Sequence, residues 1–488
     1  MTSNPNAKKR LLTVSNRGPV EFGYDEDGNL KETPGAGGLA TALHVAAELY
    51  PATWLSSPLS ETDKAIASGE IECPSDAPCH FVATDPEQYD LFYGAFANET
   101  LWPLQHALPW PDELPPERRV LSWHEGYIPV NQAFADAVVE EIDRGGVRAV
   151  MVHDYHFYLV PRMVRNQRPE AYLQHFIHIP WPHPKEWSRL DNRTLRAIVD
   201  GLLGNDSLVF QTPTDAHNFR LTAQFALGAE IDEESGLVKH RDRTTRVWSN
   251  GISVDPGELD EIAMTPEFSR YRYLLRAAPG QRMIMRVDRL DMTKNVVRGF
   301  EAYERLLEDH AELREHVMFL ALLVPTKMDI PMYTRYQEEA LAKAHAINKR
   351  FGNLHWKPVR ILFEHNRVQA LAAMSLYDVM LVNPVADGMN LVAKEGPVLN
   401  THNGVLVLST TAGAYADLGC GALAVDPYDV EQTAEALYEA ITMPPVDRRE
   451  RAEKLRRAIR NKDLRAWFQA LFNDIEANAP AEASTTAA

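Results

Sequence analysis

A series of short, nearly uninterrupted apolar runs constrains this chain more than any other feature. They fall at Leu11–Ser15, Thr53–Ser56, Ala149–His153, Leu173–Ile179, Ser207–Phe210, Met283–Arg286, Val317–Val324, Arg360–Phe363, Val379–Val382 and Val405–Leu408. Amphipathic stretches of helical length lie between them, among them Asn131–Arg144, Val296–Leu307, Glu338–Asn348 and Val430–Ile441. Strands that are apolar on both faces belong in sheets covered by helices on each side, so the pattern predicts parallel sheets and an α/β class. The series restarts after Ser249-Asn-Gly-Ile-Ser-Val-Asp-Pro-Gly257, which is punctuated like a linker. Two doubly wound domains facing a cleft are therefore expected, at residues 1–250 and 251–465. A last helix, roughly Asp447–Asn478, is charged early and aromatic later (Trp467, Phe468, Phe472). Its end, 466–478, is expected to pack back on the first domain, and the tail 479–488 to be disordered.

Length and charge exclude some functions. A chain of 488 residues is too long for one ordinary core. The 50 basic against 68 acidic residues leave a net charge of −18, which repels phosphate backbones and argues against a nucleic-acid partner. Cys73, Cys79 and Cys420 have no zinc-ligand spacing and read as free thiols of a reducing compartment. The start, MTSNPNAKKRLLTV, has no apolar core of a signal peptide, and the dense run Met318–Val324 is far short of a membrane span. A cytoplasmic protein with no membrane partner is expected, with no metal site and no cofactor; a homo-oligomer is compatible with the sequence.

Several segments carry chemistry. Pro34-Gly-Ala-Gly-Gly-Leu-Ala-Thr41 formally matches G-x-G-x-x-A, but about twenty residues separate it from its strand. Those residues read as a hairpin, Val20–Tyr24 with a turn at Asp27-Gly-Asn29. A nicotinamide dinucleotide site is therefore disfavoured; a phosphate cradle at a helix start and a plain tight turn both remain open. His153-Asp154-Tyr-His156 and His178 place polar groups at strand ends, where open α/β sheets bind ligands. Arg289 and Lys294 lie five apart across a turn after a strand, a spacing that can neutralise a pyrophosphate: the arginine fork takes two oxygens and the lysine acts as a point charge. In Asn383-Pro-Val-Ala-Asp-Gly-Met-Asn-Leu-Val-Ala-Lys-Glu395 a strand ends in a sharp turn. A helix beginning near Asn390 would aim the N–H groups of Met389, Asn390 and Leu391 at a phosphate. Asp387 would face whatever hangs from that phosphate, and Glu395, about one and a half turns in, would reach a ribose diol. Phosphates at the helix end and hydroxyls on carboxylates suit a sugar nucleotide.

These motifs in this order resemble the trehalose-6-phosphate synthase family of retaining glycosyltransferases. The resemblance covers about residues 10–475. It rests on Ser15-Asn-Arg17, Gly37-Gly38, Tyr93, Leu101-Trp-Pro103, His153–His156, His178-Ile-Pro180, Phe210-Gln-Thr212, Arg289-Leu-Asp291 with Lys294, and Asp387–Glu395. It implies two Rossmann-like domains of the GT-B type, with a nucleotide-sugar donor and a sugar-phosphate acceptor as partners. On that resemblance Arg289 and Lys294 hold the pyrophosphate, and Asp387 with Gly388, Met389, Asn390 and Leu391 holds the glucose and phosphates. Glu395 takes the ribose, Asn366 lies on the donor side, and Gly37 and Gly38 close over the phosphates. His178 contacts the donor glucose, Asp154 orients the acceptor, and Arg17, Tyr93 and Trp102 surround the phosphorylated acceptor sugar. The implied chemistry is glucosyl transfer with retention by front-face attack, with the leaving phosphate taking the proton and no enzyme nucleophile.

Some positions depart from the family pattern. Ser57 stands where a second tryptophan is expected, and Lys327 where an arginine usually meets the acceptor phosphate. Gly396-Pro397 follows Glu395 where an ordinary helix usually continues; an uncompensated proline there costs about 3 kcal/mol and should kink the helix. Asp417 varies a usual glutamate. The run Glu395–Asn400 and Asn366 resemble relatives that use guanine nucleotides, which favours GDP-glucose over UDP-glucose. Two rivals are a pseudo-glycosyltransferase joining a nucleotide cyclitol to an aminocyclitol phosphate and a catalytically silent sugar-phosphate-binding regulator. The intact DGMNLVAKE segment disfavours the first, and the retained Arg289, Lys294 and Glu395 disfavour the second.

Overall fold

The computed structural model describes residues 10–25, 27–34, 52–74, 79–111, 114–326, 330–363 and 366–479. The glycine loop with Gly37 and Gly38, and Lys327, lie outside them. The chain divides into two compact units: residues up to Asn250 together with the segment from Trp467, and Gly251–Ala466.

In the first unit the strands are β1 (Arg10–Val14), β2 (Val20–Tyr24), β3 (Leu30–Pro34), β4 (Ala52–Ser56), β5 (Cys79–Phe81), β6 (Val147–His153), β7 (Leu173–Phe176) and β8 (Ser207–Phe210). They are followed by β9 (Glu230–Asp232), β10 (Leu237–His240) and β11 (Arg243–Ser249). Nine of them form one sheet in the order β5-β4-β1-β6-β7-β8-β11-β10-β9. The first seven in that order run parallel; β10 pairs antiparallel with β9 and β11. The predicted hairpin is the separate pair β2–β3, with Val20 opposite Pro34.

The second unit is one parallel sheet of β12 (Arg282–Arg289), β13 (Val317–Val324), β14 (Val359–Leu362), β15 (Val379–Val382), β16 (Val405–Ser409) and β17 (Leu423–Val425). Its order is β14-β13-β12-β15-β16-β17. Numbered within the unit this is 3-2-1-4-5-6, the doubly wound order, and the first six strands of the other sheet, β5-β4-β1-β6-β7-β8, repeat it. The chain order reverses between β1 and β6 in one unit and between β12 and β15 in the other, so each unit opens a crevice beyond the carboxyl ends of those strands. The predicted apolar runs all map onto these strands, with Leu173–Ile179 continuing three residues past β7, because residues buried on both faces need Val, Ile and Leu. In β13 every residue from Val317 to Leu323 is buried.

One expectation needs correction. The last helix is not continuous: Pro445–Asn461 and Leu464–Asn478 are separate, and Asp463 Oδ1 accepts the Ala466 N–H at 2.8 Å, the way a cap starts a new helix. The Trp467 ring meets Phe176 edge-on at 5.3 Å, and Gln174 Nε2 donates to Asp474 at 2.9 Å. Pro397 lies inside the helix Val392–Leu399, and Asn400 N–H reaches the Gly396 carbonyl at 2.9 Å beyond it. The three cysteines are free thiols. Among the described residues no helix is long and apolar enough to cross a membrane.

Candidate active site

In the first unit the carboxyl end of β1 delivers Ser15, Asn16 and Arg17. Ser15 Oγ donates to the Arg17 carbonyl at 2.7 Å and accepts from Trp54 Nε1 at 2.6 Å. That pins the turn and leaves the Arg17 side chain exposed. Ser57, only 1% exposed, donates to Asn16 Oδ1 at 3.0 Å, and the Tyr89 hydroxyl donates to the same oxygen at 3.2 Å. The position that departs from the family pattern is thus filled by a polar knot. Tyr93 is sandwiched between parallel rings, Tyr89 at 5.7 Å and His156 at 5.8 Å. The row continues through Tyr155, 4.1 Å from His156, to Trp102, 5.7 Å from Tyr155. Tyr93 itself sits on a wide helical segment, Asp90–Leu101. There the Asn98 and Thr100 side chains bond the carbonyls five residues back, at 2.8 and 2.9 Å. Such π-type turns are unusual and recur at functional sites.

At the end of β6, Asp154 has φ 70° and ψ 179°, a region almost reserved for glycine. Its N–H is tied to the Phe176 carbonyl at 2.8 Å, its own carbonyl meets His175 Nε2 at 2.9 Å, and its carboxylate accepts the His178 N–H at 3.2 Å. Burial pushes the Asp154 carboxyl up to about 7, against the backbone hydrogen bonds that hold it down. Burial pushes His175 and His178 each down to about 3, and His153 well below its ordinary value. His153 Nδ1 and His178 Nε2 stand 3.1 Å apart, and Gln211 Nε2 faces His178 Nδ1 at 3.5 Å. One of the two facing ring nitrogens donates to the other. A neutral imidazole and a strained carboxyl whose burial favours its protonated form therefore meet at the first switch point.

At the second switch point β12 ends in Arg289, exposed, and a tight turn that carries Lys294. The Lys294 ammonium pairs with Asp387, whose second donor is Asn390 Nδ2 at 3.1 Å. Asn390 takes a left-handed φ of 76°, and its Oδ1 accepts the Ala393 N–H at 3.2 Å. The helix starts at Val392, later than the expected Asn390, because Asn390 is spent on the turn and the cap. Glu395 therefore lies in its first turn and not one and a half turns in. Burial raises the Glu395 carboxyl, and the nearby Arg367 partly offsets this. Arg367 is itself held by Glu258 at 2.7 and 3.2 Å. Asn366 caps its own helix, accepting the Gln369 N–H at 2.9 Å, while its amide reaches the Tyr271 hydroxyl at 3.0 Å. The Gly388 and Met389 carbonyls lie against the loop after β16. There Ala414 N–H donates to Met389 O at 2.7 Å, and a Cβ on Gly413 would stand 1.8 Å from Gly388 O.

In the first unit ring contacts link Tyr93 through His156 and Tyr155 to Trp102, and Asp154 meets the His178 N–H. In the second Lys294 meets Asp387 and Asp387 meets Asn390, with Arg289 at the end of β12 and Glu395 in the first turn of the helix after Leu391. Sequence reasoning assigned no individual role to Asn16, Tyr89 or Lys394. Lys394, 1% exposed, donates to the Ile252 carbonyl and to Asp417, each at 2.9 Å. A lysine inside an otherwise apolar helix start was the signal for it.

Two doubly wound sheets with cationic and carboxylate groups at their switch points have the architecture of a glycosyltransferase. The model of glycosyltransferase family 20 matches residues 9–477, and the chain belongs to that family, the trehalose-6-phosphate synthases. The trehalose-6-phosphate synthase of Mycobacterium marinum is 30% identical over 494 residues, 98% of this chain and 96% of that one. The bifunctional trehalose-6-phosphate synthase/phosphatase of Thermoproteus tenax is 32% identical over 474 residues, 94% of this chain; the chain spans 62% of that relative's length. A UDP-forming α,α-trehalose-phosphate synthase from Burkholderia xenovorans, solved in complex with glucose-6-phosphate, superposes with a TM-score of 0.81 at 30% identity, over 96% of this chain and 100% of that one.

Proposed function

We propose that the protein transfers glucose from a nucleoside-diphosphate glucose to glucose 6-phosphate, giving α,α-trehalose 6-phosphate with retention at the anomeric carbon. The observation that carries this is the second switch point, where Arg289 and Lys294 leave β12 beside Asp387 and the Asn390 turn. Two cations there balance the charge that builds on a departing diphosphate, and a helix end adds N–H dipoles. Asp387, released from Lys294 by the phosphates, turns to the sugar hydroxyls, and Glu395 takes the ribose. Gly37, Gly38 and Asn366 complete the donor side.

On the acceptor side Arg17, Tyr93, Trp102 and Lys327 surround the sugar phosphate and Asp154 orients it. The acceptor hydroxyl then attacks the face from which the diphosphate leaves, and a phosphate oxygen takes its proton. Catalysis is positioning plus stabilisation of leaving-group charge. The base we propose differs from that of the Burkholderia enzyme. The Burkholderia enzyme's name says UDP-forming, whereas the run Glu395–Asn400 and Asn366 favour GDP-glucose here.

A donor panel tests the reading. The protein is incubated with glucose 6-phosphate and UDP-, GDP- or ADP-glucose, and products are identified by mass and NMR. An α,α-1,1-linked disaccharide phosphate from one donor is expected. No product from any donor, with the nucleotides still bound, sinks the proposal and favours coupling to an amine acceptor.

A further inference from the structure

Arg286 lies in the middle of the second unit's chemistry without touching its surface. It occupies β12, three residues before Arg289, and is 0% exposed. A central parallel strand normally carries Val or Ile there, since a buried guanidinium is expensive unless every donor is used. Here all three guanidinium nitrogens have partners. Nε and Nη2 both reach Asp288 Oδ2, at 2.9 and 2.8 Å. Asp288 is two residues along, on the same face of the strand. Nη2 also donates to the Lys294 carbonyl at 2.8 Å, and Nη1 points to the Val296 carbonyl at 3.4 Å.

The space for this fork is made by Gly299 on the following helix. A Cβ there would stand 2.4 Å from Arg286 Nη1. Asn383 Oδ1, buried and without a hydrogen-bond partner, lies 3.4 Å from the same point. The neighbouring Asn295 completes the seat: at φ 58° its amide donates to the Asn383 and Pro427 carbonyls, at 3.0 and 2.7 Å.

We propose that Arg286 is a positioning residue for glucosyl transfer, holding from beneath the turn that presents Arg289 and Lys294, and that Gly299 is the vacancy this role requires. The inference rests on the reading of Arg289 and Lys294 as the diphosphate clamp. Fixing the Lys294 backbone from below fixes where its ammonium stands relative to Asp387. An apolar residue at 286 would fill the strand but would leave the Lys294 carbonyl without its bond from below, while the bonds of Thr293 to Val385 and of Asn295 to Asn383 and Pro427 remain.

The test uses the full-length chain and the variants R286K, R286M, G299A, R286M/G299A and K294A. UDP and GDP binding is titrated calorimetrically, and kcat, KM for the donor and the melting temperature are measured alongside. R286K keeps the charge and the fold but cannot reach Asp288 and the Lys294 carbonyl together; a loss of diphosphate affinity of at least tenfold is expected. G299A is expected to show the same loss through its displaced guanidinium. In R286M/G299A the methyl fills the vacated space, so the melting temperature should recover toward wild type relative to R286M while affinity and kcat stay low. If R286M does not fold, R286K and G299A decide the matter. Affinity and kcat within twofold of wild type in R286K and G299A overturn the inference. Recovery of affinity together with stability in the double variant also overturns it, because Arg286 would then be packing only. K294A separates the two levels. If K294A binds UDP and GDP normally, the clamp reading fails and this inference with it. If K294A loses binding while the Arg286 variants keep it, only the positioning role fails.

Discussion

Replacing Asp154 by Asn should stabilise the first unit at neutral pH while impairing turnover. The carboxyl is raised to about 7 because burial disfavours its charged form. An ordinary aspartate in the unfolded chain titrates near 3.9. Between roughly pH 4 and 7 the folded state therefore keeps a proton that the unfolded state has released, and stability falls as pH rises, by about 1.4 kcal/mol per pH unit. The stability is fully present below the unfolded value and is lost by the time pH passes the folded one. Over the whole window the loss reaches about 4 kcal/mol; the side chain is partly accessible, so about 2–4 kcal/mol is the expected range. Asparagine has the shape of the neutral acid, can still accept the His178 N–H, and does not titrate. The variant should match wild type near pH 4 and exceed it by about 4–8 °C in melting temperature near pH 8, at roughly 2 °C per kcal/mol for a unit of this size. Calorimetric melts of both proteins from pH 4 to 8 give the difference directly, and every other titrating group cancels. A difference that does not change with pH, or that favours wild type increasingly above pH 5, would refute the argument. The second outcome would mean that the carboxylate is the stabilised form. That a destabilising acid on a strained backbone sits at this point fits a site that gives up stability for chemistry.

Other expectations concern the second unit. Arg289→Ala and Lys294→Ala should each lower kcat by orders of magnitude with circular dichroism unchanged, and a near-normal rate in either would remove that residue from the clamp. Lys394→Met leaves Asp417 paired with the exposed Lys462 at 3.0 Å and should cost about 1–3 kcal/mol in urea unfolding. The double variant Lys394→Met/Asp417→Leu should lose less, and equal losses would mean the pair is not coupled. Gly413→Ala places a methyl carbon 1.8 Å from Gly388 O, so the Asp387–Asn390 turn must move; donor KM should rise well before the melting temperature falls.

Much of the parallel framework was legible because its residues answer to one local rule. Val317–Val324 and Val379–Val382 are apolar throughout, and their bounds in the structure are those of the runs. The helix Val296–Asp309 likewise follows its apolar stripe. The antiparallel edge β9–β11 was not legible, since its exposed residues are polar and alternate weakly. The break at Asp463 was hidden by charge on both sides of it. In the site, Arg289, Lys294 and Asp387 could be named because a charged residue just past an apolar strand stands out. Asn16 and Tyr89 could not, because an asparagine in a turn and a tyrosine before a helix are ordinary until they share an oxygen.

By itself the sequence determined most of the parallel strands and which polar groups stand at their ends, because each depends only on residues close in the chain. The tertiary structure alone decided that both sheets reverse their order at the strands bearing those groups. It also decided that Asp154 is strained and its carboxyl raised by burial, and that Arg286 reaches Lys294 beside the gap at Gly299. Those facts depend on burial and on contacts between distant segments: the titration of a carboxyl, or the room for a guanidinium, is set by what the rest of the chain packs around it.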